Sequence, residues 1–66
     1  MMQMESLKTQ EEVKVVIVED YKLTRVGLKF ALNEIENINV VGEAPDAEIG
    51  LEVIRKEHPD VVLMDL

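Results

Sequence analysis

The chain has no cysteine, so neither a disulfide framework nor a thiolate metal centre can support its fold. At 66 residues it forms at most one small domain, and such a domain buries only about 60% of the surface its unfolded chain exposes. Without disulfides, the usual reinforcements left are a partner chain or a bound ion. Basic residues are scarce, 7 against 14 acidic ones, and the formal net charge of −7 argues against docking of this segment on nucleic acid or an anionic membrane surface. Long apolar runs are missing as well. Val15 to Val18 and Val61 to Met64 are the longest, far below the ~20 residues a membrane-spanning helix needs. The first residues, Met1-Met2-Gln3-Met4-Glu5-Ser6, lack the positive stretch and apolar run of a secretory signal, and a cytoplasmic location is expected.

What is present is globular: 47% of residues are apolar and 32% charged, too apolar for a disordered chain. Residues 1–12 are polar and mixed in charge and are expected to be a flexible lead-in, with the domain over residues 13–66. Val13-Lys14-Val15-Val16-Ile17-Val18 is almost wholly β-branched and stops at Glu19-Asp20, the pattern of a parallel strand covered on both faces. From Tyr21 to Glu36, Leu23, Val26, Phe30, Ala31 and Ile35 recur at helical spacing with Gly27 on the same stripe, predicting an amphipathic helix of about four turns. Asn37 is its expected stop. Ile38-Asn39-Val40-Val41-Gly42 is a short strand broken by its glycine, and Pro45-Asp46 opens a second helix with Ala47, Gly50, Leu51 and Ile54 on one face. His58-Pro59 ends that helix, and Val61-Val62-Leu63-Met64 is a third strand running into Asp65-Leu66. Alternating strands and helices of this kind build a parallel sheet with helices on its faces, a flavodoxin-like α/β half-domain of β-α-β-α-β order.

Acidic residues stand at the ends of two strands, Glu19 and Asp20 after the first and Asp65 after the third. Neighbouring strands lie about 4.8 Å apart, so these carboxylates can converge. Three converging carboxylates repel one another, and a hard divalent cation with oxygen ligands, Mg²⁺ foremost, relieves the repulsion. Ligands of open α/β sheets bind at this same edge, beyond the carboxyl ends of the strands.

Val16-Ile17-Val18-Glu19-Asp20, followed by Leu23, Arg25, Gly27 and Leu28, resembles the opening of a two-component response-regulator receiver domain. Val41-Gly42-Glu43-Ala44 resembles the family's second strand and its exit. His58-Pro59-Asp60-Val61-Val62-Leu63-Met64-Asp65-Leu66 resembles the run into its phosphoacceptor and is the most specific part. The resemblance covers residues 13–66 and is best to regulators with a helix-turn-helix output domain. It implies a sheet in the order 2-1-3, Asp65 as the phosphorylated residue, and Glu19, Asp20 and Asp65 around Mg²⁺, with Asp20 a direct ligand and Glu19 more peripheral. It implies a sensor histidine kinase as partner of the parent protein. The family's signal-reading hydroxyl, lysine and aromatic residues lie beyond the third strand, so the 66 residues are expected to be a truncated half that cannot complete the phosphorylation cycle and is not an enzyme.

Other residues carry blander expectations. Arg25 and Lys29 are expected on the solvent face of the first helix. Gly27 and Gly50 are expected where helix and sheet pack closely, and His58 has no second histidine or cysteine to join it as a ligand. The Glu19-Asp20 pair alone could be a strand exit with one carboxylate serving the next helix N-terminus. Two other functions compete. A non-catalytic fragment would self-associate to a homodimer through an exposed third strand. A nucleotide- or flavin-binding half-fold is disfavoured, because Glu19-Asp20-Tyr21-Lys22 has no glycine-rich phosphate cradle.

Overall fold

The structure is a computed structural model and describes residues 12–65. The expected lead-in lies outside the described residues apart from Glu12, as does Leu66. Five elements follow in order: β1 (Val13–Glu19), α1 (Lys22–Asn33), β2 (Ile38–Ala44), α2 (Ala47–Glu57) and β3 (Val61–Asp65). The three strands form one parallel sheet in the order β2-β1-β3, as the flavodoxin-like arrangement requires. Among the described residues no helix is long and apolar enough to cross a membrane.

The side chains of β1 alternate between two helices. Val16 and Val18 join Ala44, with Val41, Val53, Ile54 and Val62 packed around them, on the face that α2 covers. Ile17 points the other way, and its register partner Glu43 meets α1 through Arg25 and Lys29. Val16, Ile17 and Val18 are fully buried, each worth about 1.5–3 kcal/mol relative to exposure. At the amino ends of the strands Asp60 binds Lys14 twice, donating its N–H to the Lys14 carbonyl and accepting the Lys14 N–H on Oδ2, both at 2.8 Å. Val13 donates to the Asn37 carbonyl at 2.7 Å on the other side.

The helices are turned relative to the expected stripes. In α1 the least exposed positions are Arg25, Leu28 and Leu32, whereas Leu23 and Phe30 are 77% and 71% exposed. In α2 the inward side is Gly50, Val53, Ile54 and Glu57, and Ala47 and Leu51 are exposed. Helix α1 also stops earlier, at Asn33, because Glu34 and Ile35 donate to Ala31 and Leu32, three residues back, and tighten the last turn. Asn37 takes its positive φ of 77° at the entry to β2, so it ends the connecting turn and not the helix. Strand β2 runs on past Gly42 to Ala44: Val15 pairs with Val40 but Val16 pairs with Gly42, leaving Val41 as the extra residue of a bulge. Helix α2 is capped as expected, Asp46 Oδ1 accepting the Ile49 N–H at 2.9 Å, and the left-handed His58 closes it.

Two glycines are required by packing and one is not. A Cβ on Gly42 would stand 2.5 Å from Val53 Cγ1, and one on Gly50 would stand 2.9 Å from Val18 Cγ2. Nothing lies within 4 Å of a Cβ on Gly27, contrary to the close packing expected there. In urea denaturation Gly27→Ala is expected to raise stability by about 1 kcal/mol through helix propensity. Gly42→Ala is expected to lower it by about 1–3 kcal/mol through overpacking; equal effects of the two substitutions would contradict this packing.

Candidate functional site

The carboxyl edge of the sheet gathers the acidic residues by register. Glu19 is the last residue of β1 and pairs directly with Asp65, the last residue of β3. Parallel neighbours are about 4.8 Å apart, so these two side chains leave from adjacent points on one edge. Asp20 follows Glu19 in the turn that leads into α1; Asp20 and Asp65 are exposed.

Glu19 is different, being only 5% exposed. Its Oε2 accepts the backbone N–H of Tyr21, the residue before α1, at 2.9 Å. Its Oε1 is buried and has no hydrogen-bond partner. One oxygen thus braces the start of the helix, as the bland expectation had it, and the other is left over. A buried carboxylate oxygen without a partner carries an uncompensated desolvation cost.

Arg25 and Lys29 are not simply solvated. The Arg25 side chain is 15% exposed, its Nη1 donating to the Glu19 carbonyl at 2.8 Å and its Nε to Glu43 Oε1 at 3.1 Å. Lys29 Nζ takes the other oxygen of Glu43 at 3.0 Å, while remaining half exposed. Sequence reasoning missed this trio. Arg25 and Lys29 are four apart on one helix edge, a spacing that could have flagged a shared acidic partner, but nothing in the sequence assigns that partner to Glu43. A depression of about 230 Å³ lies beside them, lined by Val26, Lys29, Phe30, Asn33 and Glu43, and none of Glu19, Asp20 and Asp65 borders it.

Among the described residues no group of three or more Asp, Glu, His or Cys side chains is placed to enclose a metal ion. The donors at the β1 and β3 ends are all carboxylates, one with a buried unpartnered oxygen. That donor set fits a hard cation such as Mg²⁺ and offers no soft ligand.

The family model for the response regulator receiver domain matches residues 15–66. The chain belongs to that family. Among curated receiver-containing relatives, the response regulator GacA of Pseudomonas aeruginosa is 44% identical over 54 residues, which cover 82% of this chain and 25% of the relative. The probable transcriptional regulatory protein NarL of Mycobacterium tuberculosis is 46% identical over 55 residues, 83% of this chain and 26% of the relative. The nitrate/nitrite response regulator protein NarL of Escherichia coli is 33% identical over 60 residues, 91% and 28% respectively. The receiver chain spans about a quarter of the length of these relatives. No solved structure matches it significantly.

The Glu43 trio makes the receiver's acid stability testable. The hydrogen bond from Lys29 lowers the Glu43 pKa from its ordinary 4.5; partial burial opposes this, and the charge of Lys29 and the bond and charge of Arg25 reinforce it. A carboxyl whose pKa falls on folding adds stability that is fully present above the unfolded value and is lost as pH drops through the folded one. Urea midpoints of the wild type are therefore expected to fall as pH decreases below about 4.5, and Glu43→Gln is expected to flatten that part of the curve. An unchanged acid limb in the variant would remove Glu43 from the balance.

Proposed function

We propose that residues 13–66 are the phosphoacceptor portion of a bacterial two-component response regulator, preceded by a lead-in over residues 1–12, and that Asp65 accepts the phosphoryl group. The observation that supports this best is the register pairing of Asp65 with Glu19, whose buried Oε1 has no partner. In the proposed step an Asp65 carboxylate oxygen attacks phosphorus. The bond to the donor, a phosphohistidine of the sensor kinase or the acyl oxygen of a small phosphodonor, breaks as the acyl phosphate forms, and the leaving group keeps the electron pair. A bound Mg²⁺, held by Asp20 and Asp65 with Glu19 behind them, would supply positive charge against the phosphoryl oxygens. The receiver is a phosphoryl acceptor and not an enzyme in the usual sense.

The relatives named as response regulators, and the one named as a probable transcriptional regulatory protein, support a helix-turn-helix output in the parent protein, a histidine kinase partner and a cytoplasmic location. The net charge of −7 supports leaving nucleic-acid contact to other segments. A second function, self-association through β3, is favoured by one observation: Val61, Leu63 and Met64 are 41%, 39% and 54% exposed on a strand that, among the described residues, is paired along one edge. Sedimentation over a dilution series separates the two, because a folded monomer at low micromolar concentration is incompatible with the dimer.

Acetyl phosphate added to the full chain with Mg²⁺ is expected to raise its intact mass by one phosphoryl group, and Asp65→Asn is expected to abolish the gain. No gain in the wild type, or an undiminished gain in Asp65→Asn, would overturn the assignment.

A further inference from the structure

We propose that Arg25 is a positioning residue for the acidic exit of β1, acting through the Glu19 main chain; this rests on Glu19, Asp20 and Asp65 being the receiver's phosphoacceptor site. One guanidinium joins two strand ends: Nη1 donates to the Glu19 carbonyl at 2.8 Å and Nε to Glu43 Oε1 at 3.1 Å. The peptide unit is planar, so holding the Glu19 carbonyl also orients the Glu19–Asp20 peptide and the departure of Asp20. The next amide, Tyr21, then meets Glu19 Oε2 at 2.9 Å, which leaves Oε1 as the buried unpartnered oxygen.

Glu43 and Lys29 complete the device. Lys29 Nζ holds the second Glu43 oxygen at 3.0 Å, so the carboxylate that anchors Arg25 is itself fixed from two sides. Glu43 also offsets the guanidinium charge, which would otherwise oppose a cation brought to the neighbouring carboxylates. Lysine cannot replace arginine here, because a single ammonium lacks the separate Nε and Nη donors of the planar fork.

The test uses the full chain and two NMR measurements: hydrogen exchange of the Tyr21 amide without metal, and the Asp20 amide shift during Mg²⁺ titration. Arg25→Lys and Arg25→Ala are expected to speed Tyr21 exchange and to raise the half-saturating Mg²⁺ concentration about tenfold or more, the usual effect of losing an outer-shell partner. Asp60→Ala, which removes a side-chain bond at the opposite end of the sheet, is expected to change neither and controls for general loss of stability. Should Arg25→Ala not fold, Arg25→Lys decides. Unchanged Tyr21 exchange in Arg25→Lys overturns the proposal, as does an equal effect of Asp60→Ala. A wild type whose Asp20 amide ignores Mg²⁺ defeats the metal site instead, and the Tyr21 exchange then decides the role of Arg25 alone.

Discussion

Strand β1 is the one element with a neighbouring strand on both edges and a helix on both faces, and every other described element is placed by reference to it. Five consecutive residues, Val15 to Glu19, are buried. The first four are apolar and gain from that burial. The fifth is a carboxylate carried inside because the strand keeps its direction for one residue beyond its apolar run. The edge that gathers Glu19, Asp20 and Asp65 is therefore a by-product of how far β1 penetrates the fold, and the desolvated Glu19 is the local cost of that position.

The same geometry explains why the two helices treat their ends so differently. Helix α2 begins with its own side-chain cap, Asp46, carries Glu48 in its first turn and ends with Arg55 and Lys56, a charge order that complements the helix dipole by itself. Helix α1 has no such cap and no acidic residue in its first turn. Its entry is held from outside, by Glu19 Oε2 on the Tyr21 amide and by Arg25 reaching back to the Glu19 carbonyl. One helix is secured by local chemistry and the other by the strand end beside it, so disturbance at that strand end reaches α1 more readily than α2.

The order of elements and the parallel sheet were legible because they depend on coarse signals: a β-branched run at Val15–Val18, a continuous apolar run at Val61–Met64, helical periodicity between them, and a Pro45-Asp46 start. That Glu19, Asp20 and Asp65 leave one edge of the sheet follows from strand order and was legible too, whereas the direct pairing of Glu19 with Asp65 is a matter of register. Helix rotation was not. Apolar residues occupy more than one side of α1, so the stripe through Leu23, Val26 and Phe30 competes with that through Leu28 and Leu32, and the side meeting the sheet also accepts Arg25, whose long stem covers apolar surface while its head finds oxygen. The Arg25–Glu43 link joins positions 18 residues apart, and only strand register decides which acid lies within reach of the helix. Gly27 and Gly50 look alike as sequence, and only the distance to Val18 distinguishes them.

The bulge at Val41 reaches further than local geometry. It interrupts the regular spacing of backbone groups along β2, and Asn33 Oδ1 already occupies the Val40 N–H at 3.0 Å. A foreign strand would find neither an even ladder nor a free donor there. Among the described residues, the β2 border of the sheet is thus guarded near its middle against an added strand, and the guard is supplied by the end of α1 itself.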